Sequence, residues 1–387
     1  MERRSRENIW PKRILVAESA ASDALTKRVI SRLPQAEVIY VKDQADPLSE
    51  QSLPGVKDTE RFDQGKQQLL LTRYSGSWLK SCPGTSNHVC CNLWIVNPGE
   101  GCPFDCTYCY LQTYLSRNPS LKFYTNTDEM LRAIGERAEQ EPQRLFRVGT
   151  GELIDSLVWD ELTDFTREIV PFFARYPNLL LELKSKDDSV KNLVEMKNEH
   201  QGKTVVSWSV NAKSVTLSDE LRTASLEQRL AAAEQVVEAG YRVGFHFDPL
   251  IHFPGWEDEY RDTIKLIFSK IDPSQIAWIS VSTLRYRPEM QRIMIERFPD
   301  SSLQFGEQFL ASDGKLRYIQ PLRLKMVNFV WNELKSARKE LPVYMCMESR
   351  DAWQTIAGGA PVAGSELVEI FSRKGKLAHL DSNQGKY

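Results

Sequence analysis

The stretch CPFDCTYC, Cys102 to Cys109, sets three cysteines at C-x3-C-x2-C spacing. Three thiolates in one short loop can ligate three irons of a cubane 4Fe–4S cluster and leave the fourth iron without a protein ligand. Such an open iron can bind a small molecule and reduce it. A closed structural zinc site needs four ligands, commonly two C-x2-C pairs, and this run supplies three sulfurs. A disulfide framework fits poorly with seven cysteines, an odd number, and with an N-terminus that reads as lacking an apolar signal region. Cysteine clusters in a reducing cytoplasm bind metal or do chemistry, so a cytoplasmic setting is the expectation. Cys102, Cys106 and Cys109 are the expected metal ligands.

The remaining cysteines are Cys82, Cys90, Cys91 and Cys346. Adjacent residues such as Cys90 and Cys91 rarely point at one metal, so a second cluster is disfavoured, and buried small apolar side chains are the simpler reading. A thiol that gives hydrogen to a substrate radical is the other reading, kept for one of them.

A chain of 387 residues has room for one large α/β domain with extensions. Its 41% hydrophobic and 26% charged content is that of a globular protein, and no stretch approaches the length of a membrane span. The net charge of −2 provides no global attraction to nucleic acid, so any DNA contact must come from a local basic surface.

Outward from the cysteines, the chain divides into an N-terminal α/β extension and linker (1–91), a barrel (92–347) and a C-terminal tail (348–387). In the extension, Arg13–Ser19 and Ala36–Val41 read as strands around a helix at Ala21–Leu33. Residues 42–66, with Pro47 and Pro54, read as a linker or exposed loop. Strands are expected at Lys66–Arg73 and Asn92–Asn97. Beyond the cysteines, short apolar runs at Leu145–Gly149, Leu179–Lys184, Thr204–Val210, Tyr241–Phe247, Ile276–Val281 and Val343–Met347 alternate with amphipathic helical patterns. Ser225 and Gln228 form a capping box, with Gly240 placed for a left-handed stop. Parallel strands need helical crossovers, so about six such units predict an incomplete (β/α) barrel. Functional groups of such barrels gather at the carboxyl ends of the strands.

Those strand ends are polar. The first is Gly149-Thr150-Gly151-Glu152, where glycines allow close backbone approach and Glu152 can accept from an ammonium group. Lys184 and Lys186 follow, then Ser209 and Asn211, then His246 and Asp248, a pair capable of acid–base work or of satisfied burial. Later, Arg285, Arg287 and Arg292 surround Tyr286, and Lys315, Arg317, Arg323 and Lys325 surround Tyr318. Cations interleaved with aromatics can hold phosphates and stack on bases, and the same composition is common on solvated surfaces.

The cysteine loop, with Tyr108 before its last cysteine, resembles the signature of radical S-adenosylmethionine enzymes. Within that superfamily the chain is similar to the spore photoproduct lyase family of DNA-repair enzymes. The resemblance rests on CxxxCxYCYLQ at Cys102–Gln112. Softer matches follow at Lys186, Ser209–Asn211, Gly240–Phe245 with Pro249, and Gly255–Tyr260. It implies an incomplete barrel of the radical S-adenosylmethionine type, a 4Fe–4S cluster and S-adenosylmethionine as cofactors, and reductive cleavage to a 5′-deoxyadenosyl radical. That radical would abstract hydrogen from a thymine-dimer lesion in DNA. The resemblance also implies contacts from Gly149, Thr150, Gly151 and Glu152 to the methionine end of the cofactor. Lys186 would pair with its carboxylate, and Ser209 and Asn211 would bond its ribose or carboxylate. Tyr108 and Tyr110 would serve adenine contact and hydrogen relay. An electron donor such as ferredoxin or flavodoxin is implied as partner.

Two features depart from the family. Well-studied members carry a hydrogen-returning cysteine near the position of Gly149–Glu152, and this chain has none there. It has instead the segment from Trp78 to Thr85, Cys90-Cys91, and Cys346–Glu348. Cys346 is the expected replacement donor, with Cys91 and Cys90 as alternatives. A radical enzyme acting on a non-DNA substrate and a non-catalytic iron–sulfur redox sensor are the competing functions.

Overall fold

The computed structural model of the protein describes residues 9–43, 46–49, 51–84 and 88–359; most of the expected tail lies outside them. The chain begins with three parallel strands, β1 (Arg13–Ala17), β2 (Glu37–Val41) and β3 (Gln68–Thr72). Between β2 and β3, part of the expected linker is a helix, Asp58–Gly65, which turns Arg61 and Phe62 inward. The chain then forms β4 (Lys80–Ser81) and β5 (Trp94–Ile95), an antiparallel pair in a second sheet. It returns to the first sheet for β6 (Gly99–Glu100). The cysteine loop follows and contains the two-residue strand β7 (Asp105–Cys106). β8 (Leu121–Tyr124) ends the loop, pairing antiparallel with β6 and parallel with β3. The first sheet thus runs β2-β1-β3-β8-β6, and its last two strands come from beyond residue 92.

The second sheet is the barrel. β9 (Phe146–Gly149), β10 (Leu179–Ser185) and β11 (Thr204–Ser209) are parallel and nearly continuous in buried residues, as strands covered on both faces must be. β12 (Glu220–Leu221) leaves the sheet to pair antiparallel with β7. β13 (Arg242–Leu250) and β14 (Ile276–Thr283) resume it. β15 (Arg285–Tyr286), β16 (Phe309–Leu310) and β17 (Leu316–Arg317) make a small antiparallel sheet, and β18 (Val343–Met345) is the last barrel strand. The barrel order is β18-β14-β13-β11-β10-β9-β5-β4, an eight-stranded sheet curled into an incomplete barrel.

Helices fill the crossovers. The helix Leu226–Glu238 starts at the Ser225–Gln228 capping box, with both reciprocal bonds present. Between β9 and β10 the helical stretch is divided at Asp164, whose left-handed backbone separates Asp160–Thr163 from Phe165–Ala174. Trp159, Trp208, Trp278, Phe146 and Phe245 are among the largest fully buried side chains of a core that runs through both sheets. Among the described residues no helix is long and apolar enough to cross a membrane.

Candidate active site

The cysteine loop is an excursion from the N-terminal sheet, leaving at β6 and returning at β8. Three side chains hold it, Lys66 and Gln112 by its backbone and Arg297 by its side chains. Lys66 Nζ donates to the carbonyl of Cys102 at 2.9 Å and to that of Phe104, and sits 3.5 Å from the Asp105 carboxylate. Arg297, from the helix Glu289–Arg297, pairs with Asp105 at 2.8 Å and also reaches Gln112 and Asp63. Gln112 donates its amide to the carbonyls of Cys106 at 3.2 Å and Thr107 at 3.1 Å. Cys102 and Cys109 rest against Phe62, Leu111 and Leu115. Burial pushes all three loop thiols up, Cys106 to about 12, while the ammonium groups of Lys66 and Lys186 act in the opposite direction.

These residues suit a cluster better than a single ion. Among the described residues no three His, Cys, Asp or Glu converge closely enough to hold one metal ion. A cubane places each thiolate on a different iron and so spreads its ligands more widely. Three soft donors in a water-poor loop, with their charge favoured by two lysines, meet that requirement.

Behind the loop lies a buried charge cluster that sequence reading missed. The β7–β12 pair sets Cys106 opposite Glu220. Glu220 accepts from the Tyr108 hydroxyl, pairs with Arg229 at 2.6 Å and lies 3.9 Å from Lys186. Despite its burial, Arg229 and Lys186 hold its carboxyl below the ordinary range. Lys186 Nζ also stands 5.8 Å from the centre of the Tyr108 ring. One carboxylate facing two cations leaves a net positive charge beside the loop.

The other anticipated residues are disposed around this centre. The Tyr110 hydroxyl donates to the Glu152 carbonyl, and the Glu152 carboxylate accepts from Asn97 Nδ2 at 3.0 Å. Thr150 Oγ1 donates to Ser156 at 2.8 Å. Gly151 has no room for a side chain, since a Cβ there would stand 3.0 Å from the Lys184 carbonyl oxygen. Ser209 gives its carbonyl to Arg229 at 2.8 Å. Asn211 is buried, donating to the Pro249 carbonyl at 3.0 Å and accepting from the Tyr260 hydroxyl at 2.6 Å, so the amide visibly ties β11 to its neighbours.

His246 and Asp248 do not pair with one another. His246 Nε2 lies 2.8 Å from Glu182 and Nδ1 2.6 Å from the Ser280 hydroxyl, whereas Asp248 pairs with Arg285 at 3.1 Å. Glu182 is the hub of the barrel interior, receiving Arg147 at 2.6 Å, Ser207 at 2.9 Å and Trp278 Nε1 at 2.9 Å as well. Burial opposes its charge, but Arg147 and His246 hold it far below the carboxylate range. Burial, aided by Lys184, lowers His246 to about 4, so the ring is neutral at pH 7.

The aromatic residues expected to stack on bases are both buried: Tyr286 belongs to strand β15 of the small sheet, and Tyr318 packs into the core, its oxygen accepting from the His252 N–H at 3.0 Å. Their neighbours Arg285, Arg317 and Arg323 are matched by Asp248, Asp313 and Glu348. The exposed rings of this region are instead Phe305 and, on the hairpin strand β16, Phe309, which is 55% exposed beside the aliphatic Leu310.

Cys346 ends β18, its N–H donating to the Val281 carbonyl at 3.1 Å. Asp248, Lys184 and Arg285 are close enough to bear on its thiol, as is Cys91, and burial pushes that thiol far above its usual value.

The model of the family described as spore photoproduct lyase matches residues 9–327, which take in the cysteine loop and the barrel through β17. The chain belongs to the spore photoproduct lyase family. It is accordingly an enzyme, a radical S-adenosylmethionine lyase. It is 23% identical to the spore photoproduct lyase of Clostridium acetobutylicum over 256 residues, 66% of this chain and 74% of that protein. To the spore photoproduct lyase of Bacillus subtilis it is 26% identical over 264 residues, 66% of this chain and 73% of the relative. A solved mutant spore photoproduct lyase with bound AdoMet and dinucleoside spore photoproduct superposes with a TM-score of 0.75 at 22% identity, covering 87% of this chain and 98% of that one. That likeness establishes the incomplete barrel of the radical S-adenosylmethionine type.

Proposed function

We propose that this lyase repairs a thymine-dimer lesion in DNA, taken into the barrel mouth, by hydrogen abstraction and return. The observation that carries the reading is the three-thiol loop, held at the barrel mouth, in a chain of this family. Cys102, Cys106 and Cys109 would hold the 4Fe–4S cluster, which when loaded supplies the electron that cleaves S-adenosylmethionine. The residues of this chain bind, orient and exclude water. The surplus positive charge of Arg229 and Lys186 over Glu220 suits a carboxylate, which assigns the methionine end to Lys186. Glu152, fixed by Asn97, is oriented to accept from an ammonium group, and the Gly149–Gly151 turn allows close approach. Ser209 and Asn211 shape the next strand end.

Tyr108 and Tyr110 border the loop as the adenine contact and the hydrogen relay. Cys346 is assigned the return of hydrogen: its raised thiol keeps the S–H bond intact at neutral pH, the form a hydrogen-atom donor requires. Exposed Phe305 and Phe309 offer a local stacking surface for a nucleic acid on a chain of net charge −2. A ferredoxin or flavodoxin is the proposed electron source, and the cytoplasm, where thiols stay reduced, the proposed location.

The test is anaerobic incubation of reconstituted, reduced enzyme and S-adenosylmethionine with irradiated thymine-containing DNA. Loss of the dimer together with 5′-deoxyadenosine release is expected. Release of 5′-deoxyadenosine with the dimer intact would move the substrate outside DNA lesions.

A further inference from the structure

A fourth hold on the cysteine loop comes from Asp219, the residue before β12. The turn from Cys106 to Cys109 contains two hydroxyl residues, Thr107 and Tyr108. Each is taken by one of two consecutive carboxylates, Tyr108 by Glu220 and Thr107 by Asp219. Thr107 Oγ1 donates to Asp219 Oδ1 at 2.8 Å, and the Thr107 N–H donates to the Asp219 carbonyl at 2.9 Å. Side chain and backbone of one residue thus meet side chain and backbone of the other, and both residues are buried.

The same Oδ1 accepts from the Ser301 hydroxyl at 2.6 Å, and Oδ2 accepts from the Ser218 hydroxyl. Glu220 is met by Arg229 and Lys186, whereas no lysine, arginine or histidine among the described residues pairs with Asp219. A buried charge is costly unless hydrogen bonds compensate it, and here three hydroxyls do so. Ser301 lies four residues beyond Arg297, which pairs with Asp105 at 2.8 Å. The segment from Arg297 to Ser301 therefore meets the loop on both sides of Cys106, at Asp105 directly and at Thr107 through Asp219. Of the three loop cysteines Cys106 is the buried one, and its pairing with Glu220 fixes its own backbone.

We propose that Asp219 is a positioning residue for the cluster: by fixing Thr107 at both its N–H and its hydroxyl, it sets the backbone that presents Cys106. The inference rests on the reading that the three thiols hold a 4Fe–4S cluster and is independent of the substrate. Cys106 and Cys109 serve different irons, so the two residues between them must keep one conformation while the sulfurs diverge. The carboxylate oxygen shared by Thr107 and Ser301 ties that turn to the segment that also carries Arg297. Its charge has a second effect. Reduction adds an electron to the cluster, and an anion bonded to the neighbour of a ligating cysteine opposes that gain, so the carboxylate holds the reduction potential down.

The experiment takes the full-length enzyme, reconstituted anaerobically, and follows iron release to a chelator, a potentiometric titration read by electron paramagnetic resonance, and thermal unfolding. Thr107→Val and Asp219→Leu each remove the hydroxyl bond, and both should release iron roughly tenfold faster, as for loss of one hydrogen bond to a charged group. Asp219→Asn keeps an oxygen for Thr107 and Ser301 and removes the charge. It should retain iron like the unaltered chain and titrate at a more positive midpoint. Should Asp219→Leu fail to fold, Thr107→Val decides, because it leaves the Ser301 bond in place. The inference is overturned if Thr107→Val releases iron no faster than the unaltered chain, if Asp219→Asn loses iron as fast as Asp219→Leu, or if its midpoint does not move. A loaded chain indifferent to these changes overturns the inference alone, whereas an unaltered chain that takes up no iron overturns the cluster reading as well.

Discussion

Replacing Lys66 by methionine keeps most of the side-chain volume and removes the charge that grips the cysteine loop. The ammonium donates to the carbonyls of Cys102 and Phe104, both inside the loop, and its side chain is only 6% exposed. Hydrogen bonds to charged groups contribute about 1.5–3 kcal/mol each. Asp105 keeps Arg297 at 2.8 Å, so its loss of Lys66 adds little. Two bonds at the low end of that range give about 3 kcal/mol, which at about 1.4 kcal/mol per decade corresponds to roughly a hundredfold weaker hold on a cluster that needs the loop in one conformation. The assay is iron release to a chelator under anaerobic conditions, alongside thermal unfolding of both proteins. Release about a hundredfold faster or more complete in Lys66→Met is expected. If iron retention equals that of the unaltered enzyme while the melting temperature falls, the lysine braces the fold alone and the reasoning is refuted.

Glu220→Gln leaves Arg229 and Lys186 buried without their counter-charge, and breaking such a pair costs about 3–5 kcal/mol; denaturant unfolding should show a loss of that order, and a change under 1 kcal/mol would remove the cluster as a structural element. His246, at about 4 in the folded protein against 6.5 ordinarily, binds its proton more readily when unfolded. Stability should therefore fall by about 3 kcal/mol as pH drops from 6.5 to 4, at 1.36 kcal/mol per unit. Glu182, held low, adds a further loss below about 4.5, as the unfolded carboxyl takes its proton first. In urea titrations His246→Gln should lose most of the upper part of this dependence, and an unchanged profile would reassign it. Cys346→Ala should leave S-adenosylmethionine cleavage intact while slowing formation of repaired thymine and yielding misquenched product; an unaltered product distribution would point to another donor.

The cysteine loop, the alternating strands and helices and the polar strand ends are legible because their signals are local: a fixed spacing, a periodicity, a turn residue. What escaped reading depends on partners distant in the chain. Glu182 and Arg147 sit in strands that read as apolar cores, and only the curl of the barrel brings Arg147, His246 and Trp278 onto one carboxylate. Nothing in the residues around Glu220 marks it, and only the pairing of β12 with β7 puts it behind Cys106. The basic, tyrosine-containing stretches suggested a stacking surface, but Tyr286 and Tyr318 are apolar enough to bury once their neighbours are paired with acids. The exposed rings nearby are Phe305, in a short turn, and Phe309, in a hairpin strand too short to give a strand pattern. β8, four residues pairing β3 and β6, also went unread.

That short strand has a consequence for anyone wishing to transplant the catalytic apparatus. Since β6 pairs with β8 and β8 pairs with β3, the cysteine loop is mounted on the N-terminal layer and merely leans over the barrel. A chimaera cut at residue 92 would part the loop from its own foundation and from Lys66. A graft that carries residues 9–124 together would keep the loop on its foundation and on Lys66, and would leave Arg297, Glu220, Asp219 and Leu153 among the contacts to be supplied by the host.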